Sequence, residues 1–142
     1  MIKDRQRGQR IAISGISGFI GSRLSLYLSA AGWDILPLRR EDFILSAPEL
    51  ASRLEGVHAV VHLSGKPIIS RWNRRNRELI MQSRVGTTRS LVEAMAGMSS
   101  PPQVLVNASA VGIYPATGIH PESSEARNEG FMGEVCIRWE AE

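Results

Sequence analysis

The sequence predicts an α/β fold, a parallel sheet doubly wound by helices, and three observations carry that prediction. A short β-branched run, Ile11-Ala12-Ile13-Ser14, leads into glycines at 15, 18 and 21 and then into the helix-like Ser22-Arg23-Leu24-Ser25-Leu26-Tyr27-Leu28. Strand-like and helix-like segments alternate along the rest of the chain, the pattern of a parallel sheet with helices on both faces. A mainly apolar run, Val57-His58-Ala59-Val60-Val61-His62-Leu63, reads as a buried strand ending at Ser64-Gly65.

Taken in order, the first strand covers Ile11–Ser14, and its helix reaches about Ala31 and is closed by Gly32. Trp33–Leu38 reads as the second strand, with Pro37 implying an edge or irregular position because proline donates no ladder hydrogen bond. Phe43-Ile44-Leu45 is a marginal third strand. Ala47–Leu54 is a short helix with Ser46 as N-cap and Pro48 in its first turn. The apolar run from Val57 is then the fourth strand. The longest helix is predicted from Asn73 to Ala96, ending near Gly97. Pro101-Pro102 breaks the chain before a fifth strand, Val104–Ser109. A loop over 110–129 precedes a last helix beginning near Gly130, in which the chain stops without a closing signal. The expectation is therefore a Rossmann-type sheet truncated after about five strands. It would occupy residues 11–142 as one incomplete domain behind a basic, flexible tail over 1–10.

Composition narrows the class. The chain has 142 residues, 43% of them apolar, and no run near eighteen apolar residues, so no membrane partner is expected. The cations at Lys3, Arg5, Arg7 and Arg10 precede no apolar stretch, which argues against a signal peptide. One cysteine, Cys136, allows no internal disulfide and suits a reducing cytoplasm. A net charge of +3 does not demand nucleic acid, and none is expected as a partner. Of the 17 cationic side chains only Lys3 and Lys66 are lysine, which limits the catalysis available.

The glycine segment carries the first chemistry. Gly15 permits a tight turn out of the strand, Gly18 lets backbone N–H groups approach a pyrophosphate, and Gly21 lets helix and strand pack closely. Gly15, Ser17, Gly18, Phe19, Ile20 and Gly21 thus form a candidate phosphate loop, where the helix dipole favours anions. Spacing within a strand–turn–helix context is what separates this reading from an ordinary glycine turn. The second strand ends in Leu38-Arg39-Arg40 rather than in the acidic residue of an NAD-specific site. Two guanidiniums suit a 2′-phosphate, so Arg39 and Arg40 favour NADP over NAD, although Glu41-Asp42 follow at once. Leu63, Ser64 and Gly65 end the fourth strand beside that cofactor.

Beyond the glycines, Val60–Ile68, Ser83-Arg84-Val85-Gly86-Thr87-Thr88-Arg89, Ser109–Tyr114 and Glu134–Glu140 stand in one order along the chain. With these segments the sequence resembles the atypical, epimerase-like branch of the extended short-chain dehydrogenase/reductase superfamily, labelled nucleoside-diphosphate-sugar epimerases. The G-x-x-G-x-x-G spacing is similar to that branch's variant of the dinucleotide motif. The resemblance covers nearly all of 11–142 and implies hydride exchange between NADP and a sugar or nucleotide-sugar substrate. It also implies a chain about twice as long, whose carboxy-terminal half builds much of the substrate pocket.

Catalysis fits the resemblance poorly. The superfamily uses a tyrosine with a lysine four residues later, and here Tyr27 and Tyr114 are followed at that spacing by Ala31 and Gly118. Met132 and Cys136 align with the tyrosine and lysine places. A neutral thiol supplies no fixed positive charge, so the ordinary proton relay is missing. Ser109, at the end of the fifth strand, reads equally as a substrate-orienting hydroxyl or a strand-terminal cap. Tyr114 is a candidate proton donor by its chemistry, with packing the preferred reading. Cys136 is a third catalytic candidate, though a small buried hydrophobe is its simpler role. Arg84, where extended members have Asn-Val, is a candidate for a substrate phosphate or carboxylate, against the default of an exposed helix arginine.

The remaining features are weaker. His58 and His62 lie in a strand without acidic or cysteine partners, so no metal site is expected. Arg71-Trp72-Asn73-Arg74-Arg75-Asn76-Arg77 mixes guanidiniums with an indole, and a solvated loop and helix start is the preferred reading over a nucleotide-sugar or nucleic acid contact. Two functions follow: an NADP-dependent epimerase or oxidoreductase, or a non-catalytic NADP-binding module, such as a redox-ratio sensor or a fragment of an interrupted gene. An incomplete sheet also predicts self-association through its carboxy-terminal side, with Val135, Ile137 and Trp139 as exposed contacts.

Overall fold

The computed structural model describes residues 8–125 and 127–142. Four strands, β1 (Arg10–Ser14), β2 (Asp34–Leu38), β3 (Val57–His62) and β4 (Val104–Asn107), form one parallel sheet in the order β2-β1-β3-β4. Helix α1 (Phe19–Ala30) links β1 to β2, and α2 (Ala47–Arg53) precedes β3. The crossover from β3 to β4 is α3 (Arg74–Met81), a π turn (Gln82–Gly86) and α4 (Thr87–Ala96), and α5 (Phe131–Glu140) follows β4.

The sheet has two apolar faces because strand side chains alternate. Ala12, Leu36, Leu38 and Val60 meet Leu50 and Leu54 from α2 and its end, and Leu91 and Ala94 of α4. Ile11, Ile13 and Val61 meet Leu24 and Leu28 of α1 on the other face. Pro37 sits in β2, an outer strand paired only with β1, as its missing donor requires. Ser46 and Glu49 form the expected capping box at α2, the Ser46 N–H donating to Glu49 Oε2 at 2.8 Å. Asn73 caps α3 by accepting from the Asn76 N–H at 2.9 Å.

Three expectations are corrected. Phe43-Ile44-Leu45 is not a strand, so the sheet has four strands rather than five. Asp42, whose carboxylate accepts from the Arg39 N–H at 2.6 Å, closes a 3-10 turn over Arg40–Ile44. Of the tail predicted over 1–10, residues 1–7 lie outside the described residues, while Arg10 already belongs to β1 and pairs with Asp34 at 2.8 Å. Val135 and Trp139 are buried, not exposed, because α5 packs against the π turn and a 3-10 turn over Val111–Ile113, and the Trp139 Nε1–H donates to Thr88 Oγ1 at 2.9 Å. Ile137 alone of the three is exposed. The open apolar surface lies on β4, where Val104 and Val106 are half exposed on the α1 face of the sheet. Among the described residues no helix is long and apolar enough to cross a membrane.

Candidate functional site

The glycine loop joins β1 to α1 at the carboxyl end of the sheet. Gly15 has φ +69°, and a Cβ there would lie 2.9 Å from the carbonyl of Leu63 and from the nitrogen of Ser64. The turn out of β1 is thus pressed directly against the segment leaving β3. The Gly18 N–H donates to the Gly15 carbonyl at 2.9 Å, and Gly18 then caps α1 with extended backbone. A Cβ on Gly21 would meet the Gly15 carbonyl oxygen at 2.2 Å, so only glycine lets the helix come this close. The first turn of α1 has no side-chain cap and no acidic residue, and Phe19 and Ile20 stand exposed beside it. Its leading N–H groups thus carry no side-chain partner, the condition under which the positive end of a helix can take an anion.

A buried polar chain fixes the floor of this loop, and sequence reasoning missed it. Ser14 Oγ accepts from the N–H groups of Leu63 at 3.1 Å and Ser64 at 3.2 Å. Its hydroxyl donates to His62 Nδ1 at 2.6 Å, which leaves the Nε2–H of His62 to donate to Thr87 Oγ1 at 3.0 Å. Thr87 in turn donates to the Ser83 carbonyl at 2.9 Å, inside the π turn. Burial holds His62 neutral, its pKa pushed down to about 4. The chain that His62 closes ties β1, β3 and the long crossover together. Ser14 was discoverable only as the polar residue ending an apolar strand, which is a common pattern. His58 serves separately, its Nδ1 accepting from the Arg10 N–H at 3.3 Å. No metal-holding cluster occurs among the described residues.

On the β2 side, Arg39 and Arg40 follow the strand and are exposed. Asp42 between them and α2 is turned inward toward Arg53 at 3.5 Å, and neither arginine is in an ion pair among the described residues. On the β3 side the chain passes Leu63, Ser64 and Gly65. Ser83 Oγ accepts from the Lys66 N–H at 2.9 Å, and Arg84 Nη1 donates to the Lys66 carbonyl at 3.0 Å. The Arg84 guanidinium lies against Gly65, where a Cβ would approach it to 3.1 Å, and 5.5 Å from the ring centroid of Trp139. Arg84 is therefore half-buried and fixed in place, not a solvated helix arginine.

The three catalytic candidates separate. Ser109, just past β4, donates to Glu140 of α5, so its hydroxyl bonds a side chain rather than capping the strand. Tyr114 stacks on His120 with ring centroids 5.4 Å apart and lies under Arg127 at 5.9 Å, which matches the packing reading. Cys136 is fully buried, its Sγ 3.7 Å from the Ala110 carbonyl. Burial and then Glu140 push its thiol above the ordinary range, so it stays protonated at neutral pH. A cleft of about 240 Å³ bounded by Thr88, Ser109, Trp139 and Glu140 opens beside these groups. A larger hollow, about 480 Å³, lies around Gly56, His58 and Gln103 at the opposite ends of β3 and β4, away from the glycine loop. The Arg71–Arg77 run is exposed almost throughout, and from it Trp72 and Arg77 approach α5, lying 5.7 Å and 5.1 Å from the Phe131 ring.

The relatives of this chain carry the same architecture. Its sequence is 33% identical over 149 residues to an Arabidopsis thaliana protein named Epimerase family protein SDR39U1 homolog, chloroplastic, covering 92% of this chain and 43% of that one. It is 31% identical to Epimerase family protein SH2119 of Staphylococcus haemolyticus, covering 93% of this chain and 48% of that one. Among solved structures, human epimerase family protein SDR39U1 with NADPH superposes with a TM-score of 0.82 at 28% identity, covering 94% of this chain and 48% of that one. A nucleoside-diphosphate sugar epimerase from Corynebacterium glutamicum gives 0.73 at 29% identity, over 93% of this chain and 29% of that one. The chain spans about half the length of the curated relatives it matches. Residues 11–133 match the family model described as NAD dependent epimerase/dehydratase, and the chain belongs to that family.

Proposed function

We propose that residues 11–142 form the cofactor-binding domain of an NADP-dependent epimerase or oxidoreductase acting on a sugar or nucleotide-sugar. The observation that carries this reading is the glycine loop. Its three glycines leave an uncapped helix N-terminus open at the carboxyl end of the sheet, beside the β1–β3 junction where the strand order reverses. Gly15, Ser17, Gly18, Phe19, Ile20 and Gly21 would hold the pyrophosphate, Arg39 and Arg40 the 2′-phosphate, and Leu63, Ser64 and Gly65 the floor below. NADP, when bound, supplies hydride exchange with the substrate. Ser109 would orient a substrate oxygen and Arg84 would face the substrate's side of the site. The human relative solved with NADPH supports the choice of NADP.

A second reading, a cofactor-binding module without turnover, is favoured by a specific observation. The lysine place holds a buried, protonated Cys136, and the Ser109 hydroxyl is engaged by Glu140. Self-association would run through the half-exposed valines of β4, and the single free thiol fits a cytoplasmic location. Calorimetry on Gly18→Asp tests the shared core of both readings. Bulk and negative charge where phosphates sit should reduce NADPH affinity at least about tenfold. Affinity equal to that of the unaltered chain would remove the glycine-loop assignment.

A further inference from the structure

Arg84 differs from every arginine that is ion-paired among the described residues. Arg10, Arg53, Arg74, Arg89 and Arg138 are exposed and lie against carboxylates. Arg84 is half-buried and pairs with none of the described carboxylates. Carbonyl groups hold it instead: Nη1 donates to Lys66 at 3.0 Å and to Ile80 at 3.5 Å, with Ser83 Oγ at 3.4 Å. All these bonds leave from one nitrogen, so Nε–H and Nη2 keep their donors unused among the described residues. The positive charge is thus fixed in position, and no described acid neutralises it.

Its surroundings are shaped to receive it. The side chain springs from the π turn Gln82–Gly86, an insertion of the kind that redirects side chains at functional sites. Gly65 gives up the space of a side chain on one flank, and the Trp139 ring lies on another. Cys136, the residue at the lysine place of the missing Tyr-x-x-x-Lys, is close enough for the Arg84 charge to act on its thiol. A cation thus reaches the neighbourhood of Cys136 from the crossover helix.

The position also sets which part of a dinucleotide meets this charge. Arg39 and Arg40 lie on the β2 side of the glycine loop, whereas Gly65, Arg84 and Cys136 lie on the β3–β4 side. With the adenosine 2′-phosphate at Arg39 and Arg40 and the pyrophosphate at Gly18, the nicotinamide half falls on the Arg84 side. A nicotinamide ring carries a positive charge when oxidised and none when reduced. We infer that Arg84 is the fixed cation of the nicotinamide side, supplied by the π turn in place of the absent lysine, and that it makes the site bind reduced NADPH in preference to NADP⁺. The inference rests on the dinucleotide reading above and adds to it a selectivity between redox forms.

The test measures dissociation constants of both forms by calorimetry for the intact protein, Arg84→Gln and Arg84→Lys. The ratio of the two constants cancels any general loosening of the fold, since the two forms differ only in the nicotinamide. NADPH should bind the unaltered protein about fivefold or more tighter than NADP⁺, the lower limit set by one fully water-screened like-charge contact. Arg84→Gln should bring the ratio close to one, and Arg84→Lys, which keeps the charge, should retain it. Equal binding of both forms by the unaltered protein overturns the inference without any variant. So does an unchanged ratio in Arg84→Gln, or a lost ratio in Arg84→Lys, which decides the matter if the glutamine variant does not fold. If neither form binds at all, the dinucleotide reading fails and this inference with it, an outcome distinct from equal binding.

Discussion

The two ends of the site are built from different materials. Around β1, α1 and the exit of β3, the fit depends on backbone: a left-handed glycine, a glycine under a helix and N–H groups gathered by one hydroxyl. Around β4 and α5, side chains make the site: Ser109 on Glu140, Tyr114 on His120, and Cys136 beside Gly112 and Met132. Backbone demands admit almost no substitution, so the first region retains its dinucleotide pattern. Side-chain demands can be met by other residues from other elements, and in the second region Met132 and Cys136 stand where the resemblance aligns the tyrosine and lysine, while Arg84 reaches Gly65 from the crossover.

Adding one methyl group to each region is the sharpest way to break this comparison. Gly21→Ala places a Cβ 2.2 Å from the Gly15 carbonyl oxygen, a backbone atom that cannot step aside without moving the loop. Overpacking of that kind should destabilise by about 3 kcal/mol and remove NADPH binding. Gly112→Ala meets Met132 Cβ at 3.3 Å, Cys136 Sγ at 3.7 Å and Met132 Cε at 3.9 Å, contacts that a small shift of α5 relieves. Its cost should stay below about 1.5 kcal/mol. Equal costs in urea denaturation would show that both regions are held alike.

The buried His62 extends the comparison to pH. Its ordinary value of 6.5 in the unfolded chain falls to about 4 in the folded one, because burial disfavours the charged ring. The unfolded state then binds more protons between these values, so stability is complete above about pH 6.5 and declines as pH falls toward 4. The full loss across that window is about 3 kcal/mol. The Ser14–His62–Thr87 chain supports the glycine-loop floor, so the acid loss should appear there first. Once exchange rates are corrected for their intrinsic slowing in acid, opening at Leu63 and Ser64 should accelerate at pH 5 before opening in α5 does. Uniform acceleration across both regions would erase the distinction.

How much of this was legible in the sequence follows the same division. The glycine turn, the parallel sheet implied by strand–helix alternation, the edge role of Pro37, the cap at Ser46 and the helix starts near Asn73 and Gly130 were readable, because each rests on local backbone chemistry. The third strand was misread, since an apolar triplet carries no period and Asp42 turned it into a 3-10 turn. The exposed faces of Val135 and Trp139 were misplaced because only tertiary packing sets α5 against Thr88. Ser14, His62 and Thr87 lie 48 and 25 residues apart in sequence, so no local pattern announces their hydrogen bonds. Arg84 was visible as a candidate, but its fixed position depends on a π turn that helical periodicity conceals.

The smallest expected effect concerns Arg39 and Arg40, where the backbone seat meets its one side-chain element. Both are exposed and pair with none of the described acids, since Asp42 faces inward to the Arg39 N–H and Arg53. Their guanidiniums are therefore available to a 2′-phosphate, which accepts paired N–H donors in the fork geometry arginine presents. Replacing both with alanine removes charge-assisted bonds worth about 1.5–3 kcal/mol. NADPH affinity should fall about tenfold or more while NADH affinity, lacking that phosphate, changes little. The glycine loop predicts the opposite pattern, because Gly18→Asp strikes the pyrophosphate that both cofactors share. Titrating the double alanine variant with NADPH and NADH in parallel separates the two contributions. Equal losses for both cofactors would show that these arginines do not read the 2′-phosphate and that the seat is indifferent to it.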